Sequence, residues 1–81
     1  MKYEIKYNYN GKEYSRNAEK EVKVPEMQYE AVANELLLMS MEENGLPRGV
    51  IYHDVVLLEI GDTIQPVWGQ EEYLMDSIEV Q

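Results

Sequence analysis

Tyr3, Ile5, Tyr7 and Tyr9 alternate with Lys2, Glu4, Lys6 and Asn8, the period-two pattern of a strand with one face covered. Asn10-Gly11 follows directly, and a two-residue type I′ turn needs positive φ at both central positions, which this dipeptide tolerates best. Such a turn pairs Tyr9 with Lys12, Tyr7 with Tyr14 and Lys2 with Glu19. Val22 and Val24 keep the parity of Tyr14 and Ala18. The returning chain is therefore expected either to continue to Val24 as one long bent strand or to shift register through a wider loop. Pro25 ends it, because proline has no amide hydrogen and its fixed φ suits the first turn of a helix. Residues 1–24 thus read as an antiparallel hairpin.

Over residues 26–43 the period lengthens. Tyr29, Val32, Ala33, Leu36 and Met39 recur at three- and four-residue spacing, which places them on one face of a helix. Asn44-Gly45 supplies a left-handed stop. Met27, Ala31, Leu38 and Met41 project to the other side of the same helix, about 180° away. A helix with two apolar faces is expected to be sandwiched, with the hairpin on one side and the carboxy-terminal elements on the other. The competing reading is an exposed methionine-rich patch for a partner or for self-association.

Residues 50–60 carry two patterns at once. Their β-branched content suits a third strand, whereas Ile51, Val55 and Leu58 align on a helix opened by Pro47 and closed by Gly61. Pro47 and Gly61 favour the helix. Asp62-Thr63-Ile64-Gln65 reads as a capping box for another helix, with Pro66 tolerated in its first turn. Ile64, Val67, Trp68, Leu74, Met75 and Ile78 then fill one arc of the wheel. The expected architecture is a single α+β domain over 1–81. An amino-terminal hairpin packs on a central helix, and a carboxy-terminal region, 47–81, holds one or two further helices.

Charge sharpens this picture. The chain has 81 residues and a net charge of −9, but the imbalance is local. Residues 1–23 hold six bases against four glutamates, whereas 24–81 hold Arg48 alone against twelve acids. Such a field repels phosphates and anionic lipid and steers the molecule toward basic surfaces. With no cysteine, no disulfide framework or thiolate chemistry is expected. The start of the chain has no apolar signal region, so a cytoplasmic protein with no membrane segment is expected.

Little in the sequence points to catalysis. His53 is the one histidine and sits in an apolar run, where a packed or surface role is the ordinary one. Ser15, Ser40 and Ser77 lack the flanking glycines of a nucleophile elbow, and Gly45, Gly49 and Gly61 are too far apart for a phosphate loop. Close pairs such as Glu42-Glu43 and Glu71-Glu72 follow from acidic composition, without the spacing of an oxygen-ligated cation site. No catalytic residue, cofactor or metal is assigned. Direct nucleic-acid binding would fall to the bases of the hairpin, whose alternating tyrosines read better as core residues than as a stacking platform.

On the expected carboxy-terminal helix, Glu72, Asp76 and Glu79 recur at one-turn intervals of about 5–6 Å, near the spacing of phosphates along one strand. Together with Glu26, Glu30, Glu42 and Glu43, and with Trp68 as an apolar anchor, they form the expected partner-binding set. In size, acidity, lack of cysteine and lack of catalytic signature, the chain resembles the small anti-defence proteins of phages and mobile elements, including anti-CRISPR proteins. The resemblance covers composition and no motif, and no residue is carried over from it. It implies a stoichiometric inhibitor of a basic, nucleic-acid-handling enzyme such as a nuclease, acting by nucleic-acid mimicry or groove occlusion. The alternative is an accessory domain that forms a homodimer through the Met27, Ala31, Leu38 and Met41 face.

Overall fold

The computed structural model describes residues 1–75. Its first hairpin follows the local chemistry of the chain. β1 (Lys2–Tyr9) and β2 (Lys12–Glu19) are joined by Asn10 at φ 56° and Gly11 at φ 81°. The register is the one the turn dictates, with Tyr9 opposite Lys12, Tyr7 opposite Tyr14 and Lys2 opposite Glu19. β2 stops at Glu19 and does not run on to Val24. The amide of Lys20 still donates to the carbonyl of Met1 at 2.8 Å, after which the chain leaves the sheet edge to cross toward the helix.

Pro25 precedes a 3-10 turn, Glu26–Gln28, which leads into α1 (Tyr29–Asn44). Gly45 closes α1 in the left-handed conformation, φ 67°, and its amide and that of Leu46 reach back to the carbonyls of Glu42 and Met41. That geometry satisfies carbonyls the last helical turn leaves open. Val32, Ala33, Leu36, Leu37, Ser40 and Met41 are buried against the sheet.

The carboxy-terminal half departs from the helical expectation. Residues 50–60 form β3 (Val50–Ile60), and 64–75 form β4 (Ile64–Met75), an antiparallel hairpin turned at Gly61 to Thr63. The order of the single four-stranded sheet is β2-β1-β3-β4. The chain is therefore hairpin, helix, hairpin, and no further helix occurs among the described residues. Two physical features override the apparent capping box and the helical alignment. The β-branched run gains cross-strand partners on both sides, from β1 and from β4. Pro66 falls on an edge strand beside a register shift, where its missing N–H breaks no central ladder. Because the second hairpin joins the same sheet as the first, the described residues form no third layer over the helix. Among the described residues α1 is covered on one side only, and they do not form the expected sandwich.

Between α1 and the sheet lies the core, built from Tyr3, Ile5 and Tyr7 of β1, Tyr52, Val55 and Leu57 of β3, Met75 of β4 and the buried helix positions. The tyrosines of β1 therefore face inward and its lysines outward. Tyr7 stacks on Tyr14 and meets Tyr52 edge-on, both at 5.5 Å between ring centroids. Their polar tips are satisfied: Tyr7 shares a 2.5 Å hydrogen bond with Ser40 Oγ, and the Tyr52 hydroxyl donates to the carbonyl of Pro47. The Tyr3 hydroxyl accepts from the amide of Val24 at 2.9 Å and donates to Glu59 at 3.3 Å. It ties β1, β3 and the crossing segment into one junction.

Candidate functional site

The two flanks of α1 are chemically unlike. On the β2 side, Glu35, Met39 and Glu43 recur at four-residue intervals and meet the bases of the first hairpin. Arg16 Nε donates to both carboxylate oxygens of Glu43 at 3.0 Å, and its Nη1 lies 3.9 Å from the Met39 sulfur. Lys20 Nζ reaches Glu35 at 3.1 Å. The Arg16 guanidinium holds the Glu43 carboxyl below its ordinary pKa, and Glu43 in turn raises that of Arg16. Lys23 pairs with Glu59 at 3.3 Å, Arg48 with Glu42 at 2.7 Å, and Lys6 with Glu13 at 4.0 Å. Much of the charge segregation in the chain is thus spent internally, where the basic hairpin lies along the acidic helix.

On the β4 side there are no bases. Tyr73 donates to Asn34 Oδ1 at 3.1 Å, and Trp68 stands edge-on to Tyr73 at 5.4 Å. Burial, and after it the negative charge of Glu30, raises the pKa of Tyr73, which places Glu30 on this flank with β4. Residues 50–75 contain five acids and no Lys or Arg. Asp54, Asp62, Glu71 and Glu72, and with them Glu26 and Glu30, form no ion pair with a described residue.

The expected partner-binding residues are dispersed by this fold. Glu42 and Glu43 lie at the carboxy end of α1 and are held by Arg48 and Arg16. Glu26 and Glu30 lie at its amino end, where negative charge offsets the helix dipole. Trp68 pairs with Leu57 on the helix-facing side of β4 and packs against the core, so it is no free anchor. Glu72 is exposed on β4 opposite His53. Asp76 and Glu79 fall outside the described residues. By cross-strand partners, the neighbours of Glu72 on its own face of β4 are Gly69 and Leu74, since Gln70 lies opposite the buried Val55. The carboxylate row at helical intervals is therefore absent from 64–75. The Met27, Ala31, Leu38 and Met41 face is also broken up, since Met27 is 90% exposed while Met41 is buried at 1%.

The feature that helical reading concealed is the outer face of the sheet, away from α1. Residues directly opposite in a ladder share a face, so the register gives it row by row. Glu19, Lys2, Ile60 and Ile64 form the first row, and Asn17, Glu4, Leu58 and Pro66 the second. Ser15, Lys6, Val56 and Gly69 form the third, and Glu13, Asn8, His53 and Glu72 the fourth, beyond which Ile51 pairs with Leu74. The β2 and β1 half is polar, whereas the β3 and β4 half is aliphatic, with Ile64 63%, Leu74 58% and Ile51 46% exposed. A shallow recess of about 380 Å³ opens beside Gly69, bordered by Asp54, Val56 and Glu71. The unbroken run Val55-Val56-Leu57-Leu58 was the available signal. In a strand, half of such a run must point away from whatever covers the other half.

A larger groove of about 460 Å³ lies between the crossing segment and α1, lined among others by Val22, Pro25, Ala31, Lys20 and Glu35. Of its four charged residues, Lys20 and Glu35 pair with each other, Lys23 pairs with Glu59, and Glu21 forms no ion pair with a described residue. Among the described residues no three His, Asp or Glu side chains converge as a metal-ligand set. No helix among the described residues is long and apolar enough to cross a membrane. Comparison with protein-family models, with curated proteins and with solved structures found no match.

Proposed function

We propose that this chain is an acidic protein-binding module that acts as a stoichiometric inhibitor of a basic, nucleic-acid-handling enzyme by occluding its nucleic-acid groove. One observation carries the reading: the β3 and β4 side of the molecule holds Asp54, Asp62, Glu71 and Glu72, with Glu30 on the adjoining helix flank, and no Lys or Arg within residues 50–75 offsets them, whereas the unpaired Glu4, Glu19 and Glu21 lie among the lysines of the first hairpin and its exit. That side steers encounter with a positive groove and leaves the neutralised β2 flank uninvolved. Occlusion by a negative surface replaces phosphate-by-phosphate mimicry, since β4 offers no regular carboxylate row.

The test is affinity capture of a basic enzyme from a nuclease-treated bacterial lysate, followed by competition with the purified enzyme. One equivalent of the chain should displace nucleic acid, and added salt should weaken the complex. The triple variant Glu30→Gln, Glu71→Gln, Glu72→Gln should bind at least tenfold more weakly, about 1.4 kcal/mol, with its fold intact. Capture of no such enzyme, or capture without displacement, overturns the proposal.

A further inference from the structure

We infer that the outer face of β3 and β4 is an interface with a second copy of this chain, packed sheet to sheet. The outer face of β3 and β4 carries Ile60, Ile64, Leu58, Pro66 and Val56 on one side of the His53 and Glu72 row and Ile51 and Leu74 on the other, an apolar surface that marks an interaction site. An antiparallel sheet with one open face is expected to be polar there. Half of this face obeys that rule and half does not, so the stripe has a boundary, and the boundary runs between β1 and β3.

The register selects the occupant. A two-fold axis parallel to the strands, passing between β3 and β4, lays β3 of one copy over β4 of the other, in the aligned manner of packed sheets. Ile60 then meets Ile64, Leu58 meets Pro66 and Ile51 meets Leu74, because each pair shares a row. Val56 faces Gly69, the one position in the stripe with no side chain, and enters the recess beside it. In the remaining row His53 lies over the Glu72 carboxylate of the second copy, an acceptor for its ring N–H.

Charge agrees with shape. The stripe is bordered on the β1 side by Lys2 and Lys6, with Glu4 between them, and on the β4 side by Glu71 and Glu72. The two-fold brings Lys6 of each copy, one row away, toward the Glu72 of the other. A uniformly basic foreign surface would suit the β4 border and clash with the lysines, so the enzyme of the preceding proposal does not belong here. Glu72, and the Asp54 and Glu71 that border the recess, belong to both surfaces, so the dimer and the enzyme complex compete for them, and a dimer formed by the chain alone tests this interface whatever becomes of the preceding proposal.

Sedimentation of the full chain tests the inference directly. The mass should rise from monomer to dimer across the micromolar range. The double variant Ile64→Ser, Leu74→Ser alters two side chains that are more than half exposed, so it should fold as the parent does by circular dichroism. Its dimer dissociation constant should rise at least tenfold. Ile51→Ser, at one end of the stripe, should give a smaller rise and serves as an independent check. Met27→Ser, on the helix side, should leave the dimer unchanged. A parent chain that stays monomeric at high micromolar concentration overturns the inference, as does a dimer that withstands the outer-face variants or that Met27→Ser dissociates.

Discussion

Both hairpins contribute to the core, and they differ at the outer surface. β1 and β2 alternate strictly, placing Tyr3, Ile5 and Tyr7 under the helix and Lys2, Glu4 and Lys6 in solvent. β3 and β4 place Tyr52, Val55, Leu57 and Met75 under the same helix, yet they also set Val56, Leu58, Ile60 and Ile64 on the uncovered face. Alternation thus marks a strand whose second face meets water only. A continuous apolar run in an antiparallel sheet marks a face still awaiting a partner.

Adjacent residues break this comparison most sharply. Leu57 is fully buried, and Leu57→Ala should cost about 2–5 kcal/mol through lost burial and the cavity left behind. Leu58→Ala, one residue along but on the outer face, should cost about 1 kcal/mol or less in dilute protein. Urea unfolding of both measures the difference, and equal losses would mean the outer face is already covered. Next in size is Tyr3→Phe, which strips the buried Val24 amide of its acceptor and should cost about 1–3 kcal/mol. Gly45→Ala, at φ 67°, should cost about 1 kcal/mol as a β-carbon is forced into the left-handed region.

Acid and base titrations separate the hairpins more finely. Burial raises the pKa of Tyr7 and pushes that of Tyr52 up to about 12. A folded value above the unfolded one, about 10, means this stability is fully present below pH 10. It is lost as pH rises toward 12, because the unfolded chain ionises first. Thermal melts should fall across that window, and Tyr52→Phe should flatten the decline. The smallest effect belongs to Glu43, whose lowered pKa gives a contribution present above its unfolded value and lost as pH falls through the folded one. Arg16→Gln should remove that acid-side slope by lowering the neutral-pH midpoint slightly, while the midpoint in acid below the folded value stays as in the parent.

The first hairpin was legible because its determinants are local. Asn10-Gly11 admits one tight turn, and the turn sets every pair from Tyr9 and Lys12 to Lys2 and Glu19. The helix stop at Gly45 was legible for the same reason. The second hairpin was not, since Ile51, Val55 and Leu58 satisfy a helical period by coincidence while the strand identity of β3 depends on partners in β4 and, more than forty residues away, in β1. Charge was legible as a sum and misleading as a stripe. Glu42 and Glu43 are consumed by Arg48 and Arg16, pairings that only the folded-over helix creates. Spacing of 35, 39 and 43 against 16 and 20 held that information, but only for a reader who already knew that β2 lies beside α1.

The seam between β1 and β3 has a kinetic consequence. Each hairpin can close on its own within microseconds, whereas Ile5 meets Leu57 only after the whole intervening chain has turned back. Loop closure of that length is paid before its contacts repay it. The barrier to folding should therefore lie at this seam, with Ile5→Val slowing refolding and substitutions near Asn10 acting mainly on unfolding. Stopped-flow chevrons of the two variants would show on which arm each effect falls.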